Sequence, residues 1–328
     1  MRLGLLAFSI LLLSPFAASA QSIGDLTSTD SFTVSVSPQY PAPQSTATLS
    51  FLSAMIDLTN ATLSVSVGGK TIYQGSVRPV SVPLGKAGSV ATVLATITSS
   101  GVPYSRSVSI QPQDVAIVAE PLSSAPVLYP GKPFVPLGGD TRIVAVANVR
   151  DAAGKIVNPA TLSYSWTVDG TQIADSSGVG QQTITVASPL QYRERSVSVA
   201  VQTQDGSLVG GASLALAPEE PSVLLYENAP LLGIRFTHAL SGTFTIAATE
   251  DSLYAAPFSF PTNAAPALQW SLNGSAVQIG NSITLRPSGT GSGSAALLLT
   301  ASNGGLDMIT ASLSLLFGKK TATNFFGL

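Results

Sequence analysis

A single histidine and no cysteine stand in the 328 residues, so most nucleophilic and metal chemistry lacks the side chains it needs. A Cys–His pair cannot form, and any serine triad would have to use His238 as its base. His238 follows Arg235-Phe236-Thr237 and precedes a Ser241-Gly242 turn, which predicts an exposed or capping histidine at a strand end. One imidazole cannot supply the three or four nitrogen or sulfur ligands of a zinc site. We expect no catalytic residue and no cofactor.

The acidic residues are too dispersed to predict a calcium site or a glycosidase pair. Glu219-Glu220 and Glu250-Asp251 are adjacent pairs, but neither lies in an Asp-x-Asp-x-Asp loop. Asp169-Gly170 and Asp205-Gly206 have the composition of tight turns, where Asp tolerates a left-handed backbone. Two carboxylates placed by turn requirements are poor candidates for the acid and base of glycoside hydrolysis. No metal-binding residue is predicted.

Trp166 and Trp270 could stack on a sugar or pack in a core. The residues two positions away on either side are large and apolar: Tyr164, Val168, Leu268 and Leu272. This alternation puts both tryptophans on the inward face of a strand and predicts core packing. Several tyrosines lie at strand ends or loops and are better candidates for exposed contact, although their dispersion argues against one aromatic site. They are Tyr104, Tyr129, Tyr192, Tyr226 and Tyr254.

The elements that position these residues can be identified from a short phrase that occurs three times. It reads Val65-Ser66-Val67-Gly68-Gly69, then Trp166-Thr167-Val168-Asp169-Gly170, then Trp270-Ser271-Leu272-Asn273-Gly274. A strand that ends at a glycine, where the turn requires positive φ, and then returns is a β-hairpin. The final glycines are separated by 101 and then 104 residues. This repeat predicts three tandem β-sandwich domains whose cores include Val65, Trp166, Val168, Trp270 and Leu272.

Residues 1–20 have the composition of a secretory signal peptide. Arg2 is followed by an apolar run over residues 3–13, and Ala18-Ser19-Ala20 resembles a cleavage site. The run is shorter than the roughly 20 residues that span a membrane, although an uncleaved anchor is an alternative. We therefore expect an extracytoplasmic protein that is secreted, periplasmic or displayed on the cell surface. The lack of cysteine excludes disulfides and a lipidated thiol and favours a bacterial source.

Charge and hydropathy exclude two classes of partner. Charged residues are 10% of the chain and the net charge is −2, so no basic patch is available to neutralise nucleic-acid phosphates. No apolar run after the signal peptide reaches spanning length, so no membrane span is expected in the mature chain. Alternation of Val, Ala, Leu and Ile with Ser and Thr is typical of strands, and no window has a sustained helical period.

These patterns predict an all-β protein with three immunoglobulin-like sandwiches. The predicted bounds are a flexible leader at 21–31, domains at 32–113, 114–218 and 219–317, and a C-terminal tail at 318–328. Prolines cluster at the start of the first two domains, and Pro218-Glu219-Glu220-Pro221 is predicted to be a short, stiff linker.

The phrases that contain Trp166 and Trp270 resemble strand C of bacterial immunoglobulin-like and PKD-like domains. In that family a tryptophan packs on the core just before an Asp-Gly or Asn-Gly turn. The second domain matches best and the first least, because Val65 stands where the tryptophan would be. The resemblance implies a spacer, adhesive or binding module on an exported protein.

The tail after Phe317 ends in Phe325-Phe326-Gly327-Leu328, which exposes apolar side chains unless something covers them. It could fold back on the third domain, bind a secretion or assembly partner through Phe325, Phe326 and Leu328, or be disordered. We expect a non-catalytic structural or adhesive array whose partner is another exported or envelope protein. The alternatives are a carbohydrate- or polymer-binding module that uses exposed aromatics such as Tyr129 or Tyr226, and an enzyme that depends on His238.

Overall fold

The protein, examined as a computed structural model, is described over residues 31–127, 129–288, 291–303 and 308–318. The predicted signal peptide, almost the whole predicted leader and the tail residues Phe325, Phe326 and Leu328 lie outside this part. The described residues form 24 strands, and their helices are three single 3₁₀ turns at Pro159–Thr161, Ala174–Ser176 and Thr262–Ala264. The predicted all-β fold class is confirmed.

The first sandwich has two sheets, of three and four strands. Its strands are β1 (Thr33–Ser37), β2 (Thr46–Leu52), β3 (Thr62–Val67), β4 (Lys70–Ser76), β5 (Val80–Pro83), β6 (Ala91–Ser99) and β7 (Val102–Ile110). One sheet has the order β1-β2-β5 and the other the order β4-β3-β6-β7. Leu49 and Val82 from the first sheet pack with Leu63, Val65 and Val93 from the second in one core.

The second sandwich repeats this strand order. Its strands are β8 (Asp114–Pro121), β9 (Asp140–Asn148), β10 (Ser163–Val168), β11 (Thr171–Gln172), β12 (Gly178–Val179), β13 (Thr183–Ala187), β14 (Arg195–Gln202) and β15 (Val209–Leu216). The sheets are β8-β9-β13 and β11-β10-β14-β15, and β12 also pairs with β10. A connection of residues 122–127 and 129–139 joins β8 to β9 and is called the β8–β9 connection below.

The third sandwich extends the same plan. Its strands are β16 (Ser222–Ala229), β17 (Gly233–Ile234), β18 (Gly242–Ile246), β19 (Asp251–Phe258), β20 (Ala267–Leu272), β21 (Ser275–Ile279), β22 (Ser282–Leu285), β23 (Gly293–Ser302) and β24 (Met308–Phe317). The sheets are β17-β16-β19-β22 and β18-β24-β23-β20-β21. The strand β18 runs parallel to β24, whereas the other pairings of this sandwich are antiparallel.

Each predicted hairpin is present, as β3–β4, β10–β11 and β20–β21. The two turn residues are left-handed in every copy, with φ of 54° and 83° at Gly68-Gly69, 49° and 80° at Asp169-Gly170, and 48° and 83° at Asn273-Gly274. This pair of positive φ angles gives a turn whose twist matches that of the flanking strands. The central strand of each hairpin also pairs with the strand that corresponds to β6 in the first sandwich.

Contacts divide the chain into two compact units. Among the described residues, the first unit contains those up to Asp114 together with Val149–Val157 and Gly206–Gly210. The second contains those of Val115–Asn148 and Asn158–Asp205 and those from Gly211 onwards. Most of the second sandwich therefore shares a unit with the third. The bounds 32–113, 114–218 and 219–317 remain predictions.

Candidate functional site

The residues predicted for the cores occupy equivalent places in the three hairpins. Val65, Trp166 and Trp270 are fully buried, and Val168 and Leu272 are half-buried. The indole Nε1–H of Trp166 donates to the carbonyl oxygen of Gln181 at 2.9 Å, and that of Trp270 donates to the carbonyl oxygen of Gly280 at 2.8 Å. Neither indole presents a face on which a sugar could stack.

The exposure predicted for the five tyrosines holds for only some of them. Tyr226 is only 4% exposed, so the expectation that it offers surface contact is wrong. Tyr104, Tyr129 and Tyr254 are half-buried, and only Tyr192 of the five is largely exposed, at 91%. Tyr226 is therefore excluded as a contact residue for a carbohydrate, and Tyr129 exposes only part of its side chain for such a contact.

Three of these tyrosines meet in one aromatic cluster, although the sequence suggested that they are dispersed. The ring of Tyr129 packs edge-on against Phe258 and Phe236, with centroid distances of 5.0 and 6.1 Å. Phe236 also contacts Tyr226 at 5.1 Å and Tyr254 at 6.5 Å. Edge-to-face pairs of this kind stabilise a contact beyond the area that they bury. Burial, and then the proximity of Tyr129, raises the pKa of Tyr226.

The cluster joins two sandwiches within the second compact unit. Tyr129 comes from the β8–β9 connection, whereas the other rings belong to the third sandwich: Tyr226 in β16, Phe236 after β17, and Tyr254 and Phe258 in β19. Alternation along β16 points Leu225 into the core and Tyr226 out of it. Tyr226 is nevertheless buried because Phe236 and Tyr129 lie on that outer face.

A short ladder of hydrogen bonds continues this contact. The backbone N–H of Ser124 donates to the carbonyl oxygen of Phe260 at 2.7 Å, and the N–H of Phe260 donates to the Ser124 hydroxyl at 3.1 Å. The N–H of Thr262 donates to the carbonyl oxygen of Leu122 at 3.0 Å, and Ser123 forms a β-bridge with Pro261. The β8–β9 connection therefore runs beside the segment that follows β19 and is hydrogen-bonded to it.

A second feature of this unit is a groove of about 620 Å³ beside the end of β15. Most of its polar wall comes from the loop between β13 and β14 and from the residues after β15: Gln191, Arg193, Glu194, Glu219 and Glu220. Tyr192 also lines it and has a left-handed backbone, with φ of 59°. The Gln191 side-chain amide donates to Glu220 Oε1 at 2.7 Å. The N–H of Glu219 donates to the carbonyl oxygen of Val135 at 2.8 Å, which anchors the wall.

The remaining candidates for chemistry are not assembled into a site. His238 is exposed in the loop between β17 and β18. Over the described residues, no three His, Cys, Asp or Glu side chains are close enough together to bind a metal ion. Within the same residues, no helix has the length and apolar composition required to cross a membrane.

Comparisons with known proteins find solved structures but no sequence relatives. No protein-family model matches the chain, and no curated protein does. The three N-terminal domains of the bacteriophage RB49 highly immunogenic outer capsid protein align over 87% of this chain and 98% of that one, with 11% identity and a TM-score of 0.23. The central fibronectin-III array of RIM-binding protein aligns over 88% and 96%, with 10% identity and a TM-score of 0.31.

The fibronectin(III)-like modules of Clostridium thermocellum CbhA align over 60% of this chain and 95% of that one, with 12% identity and a TM-score of 0.23. TM-scores this low add nothing to the fold assignment, which rests on the strand order of each sandwich. The sheets β1-β2-β5 and β4-β3-β6-β7 of the first sandwich have equivalents in β8-β9-β13 and β11-β10-β14-β15 of the second. The third contains the equivalent strands β16-β19-β22 and β21-β20-β23-β24. This is the sandwich architecture that immunoglobulin-like and fibronectin-like domains share.

Proposed function

We propose that the chain is an exported, non-catalytic array of immunoglobulin-like domains that acts by display or by protein binding at a bacterial cell envelope. The observation that carries this proposal is the attachment of the β8–β9 connection to the third sandwich. A flexible string of domains needs no such contact, because few contacts usually cross from one domain to the next. Here the connection contributes both backbone hydrogen bonds and the ring of Tyr129.

The attachment makes the second and third sandwiches one stiff segment. Separate domains with small polar interfaces move relative to each other, whereas an interface with an aromatic centre resists that motion. Stiffness suits a protein that holds a binding surface away from its attachment point. The PKD-like character of the Trp166 hairpin, the domain bounds 32–113, 114–218 and 219–317, and a tail that tethers the array through Phe325, Phe326 and Leu328 belong to the same proposal.

Fractionation and cross-linking of the full-length protein in its own cells test the assignment. We expect the protein in an extracytoplasmic fraction, cross-linked to another envelope or exported protein. A version that ends at Gly318 should lose that cross-link while remaining folded. A cytoplasmic location, or full-length protein without any cross-linked partner, contradicts the proposal. An unchanged cross-link in the shortened version removes the tail from it.

Limited proteolysis tests the stiff segment separately. In Tyr129→Ala the β8–β9 connection should detach from the third sandwich and be cleaved faster, because the cluster loses its contact to Phe258. Phe134→Ala is the matched control, since Phe134 lies on the same connection and is largely exposed. Equal cleavage rates in the two variants would show that the cluster does not hold the connection in place.

A further inference from the structure

We propose that the groove beside Tyr192 is a binding site for a neutral saccharide, a role separate from the array function above. The ring of Tyr192 is the starting point. It is 91% exposed, although tyrosines usually bury most of their apolar area. An exposed aromatic face next to polar groups is the surface on which the C–H face of a sugar ring stacks.

The backbone of Tyr192 indicates that this exposure is built into the loop. Its φ of 59° is a conformation that glycine or asparagine adopts easily and that a tyrosine adopts only with strain. Strained residues of this kind are found at ligand-binding sites more often than elsewhere. The turn is fixed by the N–H of Arg193, which donates to the carbonyl oxygen of Leu190 at 3.1 Å.

The polar side chains that line the groove match sugar hydroxyls in chemistry. Gln191 and Arg193 supply donors, and Glu194, Glu219 and Glu220 supply acceptors. A hydroxyl group donates one hydrogen bond and accepts others, so a wall that mixes both kinds can satisfy it. Planar amide, carboxylate and guanidinium groups can each bond to two neighbouring hydroxyls at once.

The charge of the groove decides between classes of ligand. Three carboxylates and one guanidinium line it, which disfavours nucleic acids and acidic polysaccharides. A cationic ligand would meet Arg193, and the acceptor Glu220 Oε1 is already bonded to the Gln191 amide. A neutral saccharide is compatible with both features. Leu137, Ala217 and Pro218 add an apolar part to the wall, which suits the C–H faces of a sugar ring beside its hydroxyl groups.

The test is retention of the full-length protein on insoluble cellulose, chitin and mannan, followed by a panel of soluble neutral oligosaccharides. We expect retention on at least one polymer that changes little between about 0.05 and 0.5 M NaCl, because neutral ligands are not screened by salt. Tyr192→Phe should keep most of the binding. Tyr192→Asn should lose roughly tenfold in affinity while melting no lower than the parent, because asparagine tolerates the left-handed backbone.

Phe134→Ala, at an exposed aromatic outside the groove, is the control and should bind as the parent does. Three results overturn the proposal: no retention on any neutral polymer or oligosaccharide, full binding by Tyr192→Asn, or binding only to poly-lysine beads with loss at high salt. The last result would make the groove a site for cationic ligands. None of these outcomes bears on the envelope cross-link, so the two proposals fail independently.

Discussion

The first sandwich anchors its central hairpin differently from the second and third. Trp166 and Trp270 each fill the core and donate an indole hydrogen bond across it. At the same place Val65 is small and has no donor. The first sandwich instead uses Tyr73 on the neighbouring strand β4, which packs against the core and donates its hydroxyl to the Ser76 carbonyl oxygen at 2.7 Å.

The turns show the same difference. Asp169 Oδ1 accepts from the N–H of Ser196, and Asn273 Oδ1 accepts from the N–H of Ala296, both at 2.9 Å. These bonds tie the hairpin tip to the following strand, whereas Gly68 has no side chain for this purpose. The same hairpin geometry is therefore held by a central indole and a turn side chain in the second and third sandwiches. In the first sandwich it is held by Tyr73 on the neighbouring strand. The shared backbone requirement is the pair of left-handed residues, and the anchors are exchangeable.

The substitution with the largest expected effect on stability is Trp270→Ala. It should destabilise the third sandwich by about 3–5 kcal/mol, because a large cavity is left in a closed core. Trp166 then remains as the only tryptophan, so its fluorescence reports the second sandwich while circular dichroism reports the whole chain. Denaturant unfolding with no early transition in the circular dichroism signal contradicts this prediction.

Trp166→Phe separates the hydrogen bond from the packing. The ring volume is largely kept, but the carbonyl oxygen of Gln181 loses its indole donor. The free energy of unfolding should fall by roughly 1–3 kcal/mol, the typical penalty for an unpaired buried polar group with some lost contact. Urea titration followed by circular dichroism measures it. A change as large as that of Trp270→Ala would show that ring volume, and not the hydrogen bond, dominates.

Val65→Trp tests whether the first sandwich can accept the central tryptophan of the other two. We expect destabilisation of about 1–3 kcal/mol, because Tyr73 already covers this part of a filled core. Pairing it with Tyr73→Ala should recover part of the loss, and a double-mutant cycle measures the coupling. Strict additivity of the two changes would contradict the idea that the two anchors are alternatives.

Tyr164 should make the stability of the second sandwich depend on pH, because the equivalent positions of the other two sandwiches are Leu63 and Leu268 and do not titrate. Burial raises the pKa of Tyr164 above 10.0. The unfolded chain then loses this proton first, so the contribution of Tyr164 to stability is complete below pH 10 and is lost as the pH rises through the higher folded-state value. In a Trp270→Phe background, Tyr164→Leu should flatten the alkaline decrease in stability reported by Trp166 fluorescence. An unchanged slope contradicts this assignment.

The smallest expected effect is that of Arg78→Ala. The guanidinium carbon of Arg78 lies 4.8 Å from the centroid of the Tyr73 ring, and this cation–π contact helps to hold the ring in place. Because the site is at the surface, its loss should cost about 0.5–1 kcal/mol and should depend little on salt. Arg78→Lys is the control and should retain part of the interaction. Thermal melts of the two variants that coincide with the parent would remove Arg78 from the anchor.

The hairpins could be predicted from the sequence because their determinants are local. Alternation places Trp166 and Trp270 inward, and a glycine within a few residues fixes the turn. Strands such as β8, β16 and β19 lie outside these hairpins and are not predicted one by one. The sequence of the proline-rich connection that follows β8 does not indicate which part of the protein it contacts.

The burial of Tyr226 could not be predicted for a different reason. Period-two alternation tells which face of β16 a residue occupies, and it correctly separates Leu225 from its neighbour. It does not tell whether the outer face is covered by a segment from a different sandwich, as it is here by Tyr129. The groove was missed likewise, because the β13–β14 loop and the end of β15 are adjacent only in three dimensions. The left-handed Tyr192 has no signature in the sequence.

The attachment of the β8–β9 connection has a consequence for the order in which the chain matures. Ser124 is separated by 136 residues from its partner Phe260. At ribosomal speeds of roughly 5–20 residues per second, Ser124 is made on the order of ten seconds before Phe260 exists. Exposed Val127 and unpaired Tyr129 must stay out of aggregates during that interval.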